Sequence, residues 1–440
     1  MKSYKITYVS GMIKNIFKKG SFASNVFILS SGGGIGQLVT FLISPVLTRM
    51  YSAEAFGGLA LIVSIYMILG GIVTLKYEMA IPLADKEKDC DSLVLLNFLL
   101  SILMIFVILV IYLLFKDYIT NIFNLRNLGG LIYFLPLMIL LEASRNIFRF
   151  WYIRKDNYKN ISVSIIIRHS TMSASQFVFG LAGILKKVGL VLGHIIGQCV
   201  EILWLSTIYV KTKRAEGFKG INLKSMKDNA YKYKNFPLFS SWNVIFNKLG
   251  MNLPVILLAL YYPREVIGIY AVSVRVLNTP INLIGTSVGQ VYYQQISKYI
   301  RNNIRTTRFI VTTSLKLLVI TFVPMLIIRF WGEEIFGIVF GNAWKSSGKI
   351  SALLVPLYLS RMVVSPISTI FAASGRQYIS LTWQILYTLC VFFCFYFIGA
   401  KVDFYRLISI FSFLVAFLYL LLYMVVILTS TSLDRKMAKV

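Results

Sequence analysis

The chain has 440 residues, a formal net charge of +28, 57% hydrophobic and 15% aromatic residues, and a mean hydropathy of +0.74. Apolar runs this many and this long exceed what a soluble core buries, so the composition excludes an ordinary soluble domain and points to a polytopic membrane protein. The charge excess alone would suit a nucleic-acid binder. Its distribution argues otherwise: Lys and Arg crowd into alternate connections, roughly three times as many on one side as on the other, which predicts cytoplasmic termini and no nucleic-acid partner.

Twelve candidate spans fall at 26–47, 55–75, 93–115, 131–150, 161–184, 189–209, 236–260, 266–290, 310–330, 350–371, 378–398 and 404–428. Each is near the ~20 residues that cross about 30 Å of hydrocarbon as a helix. The expected fold is therefore an all-α polytopic membrane protein with twelve transmembrane helices in two six-helix lobes. The expected boundaries are an N-terminal lobe over 1–210, a basic cytoplasmic linker over 211–235 and a C-terminal lobe over 236–440.

Ahead of the first span, Met12 to Phe27 interleaves Ile13, Ile16, Phe17 and Phe27 with Lys14, Lys18 and Lys19. This reads either as a cationic helix on the inner leaflet or as a disordered basic tail. The first apolar run has spanning length and follows a long basic segment, so no cleavable signal is expected. Ser30, Gly33, Gln37, Thr40 and Ser44 line one face of that span, and a polar stripe in lipid must face protein or water. Glycines 32, 33, 34 and 36 would let a neighbouring helix approach closely.

Between the first two spans, Tyr51, Glu54, Gly57 and Ala60 recur 211 positions later as Tyr262, Glu265, Gly268 and Ala271. Pro136, Trp151 and Tyr158 recur, with one conservative change, 220 positions later as Pro356, Phe371 and Tyr378. Offsets near half the length mark a duplicated membrane unit. The copies differ at one telling place: Arg275 stands four residues after Ala271, where the first copy has Ser64.

Two stretches of the first half carry a specific resemblance. Thr48-Arg49-Met50-Tyr51-Ser52-Ala53-Glu54-Ala55-Phe56-Gly57, then Lys76-Tyr77-Glu78 with Ala80-Ile81, resembles bacterial oligosaccharide flippases of the polysaccharide export family. Trp151-Tyr152-Ile153-Arg154-Lys155, with Tyr158-Lys159 and Ser162, looks like the loop after that family's fourth span. The superfamily also holds multidrug extruders and lipid II flippases. The resemblance implies a non-enzymatic flippase for a polyprenyl-pyrophosphate-linked oligosaccharide, such as an O-antigen or capsule repeat unit, in the bacterial inner membrane. It also implies work beside a polysaccharide polymerase and a chain-length regulator, with an ion gradient as energy source. No P-loop, cofactor or metal site is expected.

Charged residues inside the spans are the candidate site. In the fourth span Glu142, Arg145 and Arg149 share a face; Glu142 and Arg145 either neutralise each other or serve substrate and ion, while Arg149 is placed to snorkel. Arg168 has no acid in its own span, and Glu201 either carries a coupling proton or pairs with a cation of a neighbouring helix. Glu142 is the second candidate for ion coupling. His169 and His194 read as polar packing residues. The second half offers Lys248, Arg275 with Thr279, Asn282 and Thr286 on its stripe, and Arg361 with Ser365 and Ser368. A central Lys or Arg facing lipid costs about 2.5 to 3.5 kcal/mol, so Arg168, Lys248, Arg275 and Arg361 together would cost on the order of 10 kcal/mol. Two deep acids cannot neutralise them all. The surplus predicts a water-filled cavity between the lobes that waits for an anion, with Gln37 and Asn282 among its sugar-facing amides. Arg275 is the first choice for the diphosphate, because its helix resembles the corresponding one of lipid II flippases. A multidrug antiporter is the nearest alternative, but it would prefer an acidic cavity, and the first and seventh spans hold no Asp or Glu. A polysaccharide polymerase would be expected to carry a larger outer loop.

Overall fold

The computed structural model describes residues 22–122, 125–183, 188–217 and 223–437. The stretch from Met12 to Ser21 of the expected leaflet helix lies outside them. Among the described residues there is no strand, and twelve long helices follow the expected order. The first six are α1 (Phe22–Met50), α2 (Ala53–Leu69), α3 (Glu87–Leu114), α4 (Leu135–Arg154), α5 (Tyr158–Ala182) and α6 (Gly189–Glu216). The second six are α7 (Ser241–Tyr261), α8 (Arg264–Arg301), α9 (Thr307–Phe340), α10 (Lys345–Ile367), α11 (Gln377–Ile398) and α12 (Phe404–Met437). Ten stretches are long and apolar enough to cross a membrane, and the two helices that miss are the 17-residue α2 and the polar α5. Large apolar side chains stay exposed on the outer faces of α3, α9, α11 and α12, among them Phe106, Leu114, Val319, Phe330, Tyr396 and Phe417. In water such a belt would be a liability; in lipid it is the solvated surface.

The repeat governs how the halves meet. Ala53 and Arg264, 211 positions apart, each open a helix, α2 and α8, and these two helices cross at backbone contact. A Cβ on Gly57 would sit 1.9 Å from the Arg264 carbonyl oxygen, and one on Gly268 would sit 1.8 Å from the Ala53 carbonyl oxygen. The two contacts are images of each other under the repeat, so the crossing lies on a local two-fold. Only glycine permits it, and small residues at four-residue spacing are how membrane helices pack closely without a hydrophobic driving force. Around this crossing the Trp344 indole donates to the Thr48 carbonyl at 2.8 Å, Thr48 Oγ1 donates to the Phe340 carbonyl at 3.1 Å, and Trp344 packs edge-on against Phe56. The end of the bundle that carries the connections near residues 51 and 344 is therefore closed. In the second set of repeated positions Trp151 and Phe371 are both buried just before the connection of their hairpin, and Tyr158 and Tyr378 lie in the first turns of α5 and α11, whereas Pro136 opens α4 and Pro356 stands inside α10.

Two expectations need correction. The second span was read to residue 75, but α2 stops at Leu69, where Gly70 and Gly71 begin a turn that leads to a 3-10 helix at Tyr77–Leu83. Leu75 (φ 48) and Lys76 (φ 63) are left-handed there, a conformation that costs roughly 1 to 2 kcal/mol for a residue with a Cβ. The buried Lys76–Glu78 ion pair at 3.0 Å helps hold it, and the resembling Lys-Tyr-Glu motif is thus the residue set of a helix break. The outer connection at 331–349 was expected to be a loop. Instead α9 runs on to Phe340 past a non-helical Trp331, and a short turn at Asn342–Trp344 leads into α10, because Trp344 and Ser347 are bonded to α1 and α8. The stretch 211–235, expected as the cytoplasmic linker, carries structure of its own. Its start continues α6 to Glu216, and a helix at Leu223–Lys232 docks on the first half through Met226, the Asn229–Asp89 bond at 3.4 Å and the Tyr77 hydroxyl on the Ala230 carbonyl at 2.9 Å. On its outer edge Lys232 bonds Asp85 at 2.6 Å and holds that carboxyl below the usual carboxylate range.

Candidate functional site

The structure sorts the predicted residues into three places rather than one lumen. The first lies among α2, α4, α5 and α6. Arg145 reaches one turn back to Glu142 and holds it with two guanidinium nitrogens, Nε donating at 3.1 Å, so the self-neutralising reading of this pair is the one the helix adopts. Arg168, which has no acid in its own span, is 8% exposed and faces Glu201 at 3.6 Å across the α5–α6 interface, so the neighbouring-helix pairing is the one of the two Glu201 readings that the geometry matches. Spacing within one span cannot reveal a partner on the next helix. Ser164 donates to the other Glu201 oxygen at 3.4 Å. The Tyr66 hydroxyl and His194 Nε2 lie 2.8 Å apart, as do Thr40 Oγ1 and His169 Nδ1, so both histidines are hydrogen-bonded packing residues, as expected. Arg149 lines a small cleft with Glu201 and Ser164.

The pairing makes a stability prediction. Removing one member of a buried pair strands the other charge, at a cost of about 3 to 5 kcal/mol, whereas removing both is far milder. Arg168→Met should lower the thermal unfolding midpoint of the purified protein markedly, and Arg168→Met with Glu201→Gln should recover most of the loss. A double variant no more stable than the single one would show that the pair is not the relevant interaction.

The second place is the seam between the halves. Arg275 projects from α8 toward α1 and donates from Nη2 to the Thr40 carbonyl at 3.4 Å. Lys248, on α7, lies beside the broken end of α2: its side chain is 3.6 Å from where a Gly71 Cβ would be, and its ammonium is 3.5 Å from the Met67 sulfur. Among the described residues neither cation has a carboxylate within ion-pair distance. Gln37 lies on α1 with its side-chain oxygen buried and unbonded. Gly32 and Gly36 admit α5, with Cβ positions 2.0 Å from Ser162 Oγ and 2.7 Å from His169 Cδ2, and Gly34 faces α8, with a Cβ position 3.2 Å from Leu283 Cδ2. Gly33 faces open space instead.

The third place was not foreseen as a separate one. Arg361 does not lie between the halves. It is set in a chamber of about 270 Å³ enclosed by residues of the second half alone, with Tyr270, Asn278, Tyr358, Trp383, Gln384, Tyr387 and Tyr419 in its wall. A more open cleft of about 440 Å³ between α8 and α10, lined by Asn282, Gly285 and Gly289, shares Arg361 and Ser365 with the chamber. The guanidinium therefore sits where the two meet. The chamber tyrosines gave little signal in the sequence, since the chain holds 26 tyrosines and packing is the default use of each. The helical spacing of Tyr358 with Arg361, and of Trp383 with Tyr387, is the one cue that places them on common faces.

Comparison with known proteins follows the same lines. The model of a family described as "Polysaccharide biosynthesis protein" matches residues 22–300, more than half of the chain. The chain is 25% identical over 177 residues to the teichuronic acid biosynthesis protein TuaB of Bacillus subtilis (strain 168), a stretch covering 39% of this chain and 35% of that relative. Among solved structures, the lipid II flippase MurJ in an inward closed conformation superposes with a TM-score of 0.73 at 12% identity, covering 94% of this chain and 91% of that one. An inward-facing multidrug resistance MATE family transporter of the MOP superfamily gives a TM-score of 0.71 at 13% identity, covering 92% of this chain and 96% of that one. At such identities the likeness establishes the fold, a two-lobe bundle of twelve helices. With the family model matched over residues 22–300, the chain belongs to the Polysacc_synt family of polysaccharide biosynthesis proteins.

Proposed function

We propose that the protein translocates a polyprenyl-diphosphate-linked oligosaccharide, the repeat unit of an O-antigen, capsule or related surface polysaccharide, across a bacterial cytoplasmic membrane. It works by alternating access between lobes 1–210 and 236–440, joined by 211–235, with both termini in the cytoplasm. The observation that carries this reading is the surplus of interior cations. Glu142 and Glu201 pair with Arg145 and Arg168, and among the described residues Lys248, Arg275 and Arg361 have no carboxylate within ion-pair distance, Lys248 feeling the already paired Glu142 only from further off. A diphosphate supplies the missing anion, and a guanidinium meets phosphate oxygens with paired hydrogen bonds. Arg275 and Lys248 serve the diphosphate at the seam; Arg361, Asn282 and Gln37 serve the glycan; the polyprenyl tail stays in the bilayer beside the bundle. The paired cluster of Glu142, Arg145, Arg168 and Glu201 is the coupling site, because proton or cation entry there has to break an ion pair. TuaB, whose name places it in teichuronic acid synthesis, and the lipid II flippase both deal with envelope glycans, which supports the substrate class. A polymerase and a chain-length regulator then act on the delivered unit.

Deleting the gene and identifying the lipid that accumulates tests this directly. A polyprenyl-diphosphate oligosaccharide should build up on the cytoplasmic leaflet and the corresponding surface polymer should disappear. Unchanged lipid-linked glycan with loss of resistance to cationic drugs would favour a drug antiporter instead.

A further inference from the structure

The chamber around Arg361 has features that a general cationic lumen does not require. Its volume of about 270 Å³ falls just below the roughly 300 to 1,000 Å³ of small-molecule sites, which suits one sugar ring rather than a whole repeat unit. Its wall is built of aromatic faces: the Trp383 ring centroid lies 5.5 Å from that of Tyr419 and 6.2 Å from that of Tyr387, and the three are mutually tilted. Simple packing leaves such faces covered, yet all three border the open chamber. Amides alternate with the rings. Gln384 keeps its side-chain oxygen buried and without a hydrogen-bond partner, and the carbonyl of Asn278 accepts from Arg361 Nη1 at 3.5 Å. A pyranose has C–H faces that aromatic rings cover and a rim of hydroxyls that amides serve.

The charge narrows the choice of sugar. The chamber that holds Arg361 is lined by four tyrosines, Tyr270, Tyr358, Tyr387 and Tyr419, and by no Asp or Glu among the described residues. An always-protonated guanidinium at membrane depth in a chamber without a protein counter-charge is expensive, and a carboxylate on the ring would complete it with two parallel hydrogen bonds. Building on the flippase reading, we infer that this chamber is a subsite for one acidic sugar residue of the lipid-linked glycan, a pyranose bearing a carboxylate, separate from the diphosphate site at the seam. The cleft between α8 and α10 is its entrance. Arg361, standing in both, meets the carboxylate as the ring turns in.

The test uses the full chain in lipid nanodiscs and three synthetic probes: a polyprenyl diphosphate that is bare, one that carries glucose and one that carries glucuronic acid. The glucuronosyl lipid should bind about ten-fold more tightly than the glucosyl lipid and quench tryptophan fluorescence through a component that Trp383→Phe removes. Arg361→Gln should bring the two glycolipids to similar affinity. Arg361→Lys, which keeps the charge and guards against misfolding, should leave a reduced preference because it loses the fork. Equal binding of the two glycolipids by the unaltered protein would overturn the acidic-sugar subsite while leaving the flippase reading in place. Equal weakening of all three lipids by Arg361→Gln would reassign Arg361 to the diphosphate and also overturn it. Failure of all three probes to bind would overturn the flippase reading itself, and this inference with it.

Discussion

Gly57→Ala and Gly268→Ala should each abolish most transport at normal protein level, and they should do so to the same extent. Each methyl would be built less than 2 Å from a carbonyl oxygen of the facing helix, and backbone, unlike a flexible side-chain tip, has nowhere to move except with its whole helix. Overpacking of this kind costs about 1 to 3 kcal/mol, enough to shift an equilibrium between two states by roughly 5- to 150-fold. The penalty falls only on the state in which α2 and α8 are crossed, so the variants should favour separation of the lobes at the end that carries residues 51 and 344. A cysteine at Ala60, one turn deeper than the crossing, reports on this in a background where the four native cysteines are replaced. It should react with a membrane-impermeant thiol reagent added outside in either variant and be protected in the parent. Because the two contacts are images under one local two-fold, the double variant should be only slightly worse than either single one. Clearly unequal single variants, or continued protection of the Ala60 site, would mean that the crossing is a static packing contact and not a gate.

That crossing shows which parts of the molecule were legible in the sequence. Four matched positions at an offset of 211 announced a duplication, and the structure adds what pattern could not, namely that the duplicated glycines touch each other's partner helix. Span positions were readable because lipid imposes a single length scale on apolar runs. They failed where polar chemistry overrode hydropathy: at Gly70–Lys76 the apolar run continues while the helix does not, and beyond the non-helical Trp331 the chain returns to helix although the expected span has ended. Deep charges were readable one by one, since each is costly, but their partners were not. Glu142 and Arg145 share a helix and so share a pattern. Arg168 and Glu201 share only an interface, and Arg361 shares its chamber with rings from several helices, a relation that exists in three dimensions alone.

Arg275→Ala should abolish glycan export without loss of folded protein, while Arg275→Lys should retain only part of it. Arg275 stands twelve residues along a helix that begins at Arg264, about 17 Å along its axis, too deep for easy snorkelling. Among the described residues it makes a long hydrogen bond to protein, to the Thr40 carbonyl at 3.4 Å on the opposite lobe, and that carbonyl already accepts from Ser44 Oγ at 2.6 Å. A guanidinium has five donors, so most of its hydrogen-bonding capacity at the seam is left to water or to an anion. Thr279, one turn further on, donates its hydroxyl back to the Arg275 carbonyl at 2.8 Å and so stiffens the helix beneath the charge. If Arg275 served chiefly to hold the lobes together, loss of export would track loss of folded protein in the membrane, and lysine, which can still reach a carbonyl, would substitute well. If it holds the diphosphate, alanine removes the charge and the fork together, and lysine restores the charge alone. The measurement is surface polymer against membrane-inserted protein for the parent and both variants. Full export by a well-expressed Arg275→Ala protein would remove Arg275 from the substrate path and leave Lys248 as the cation at the seam.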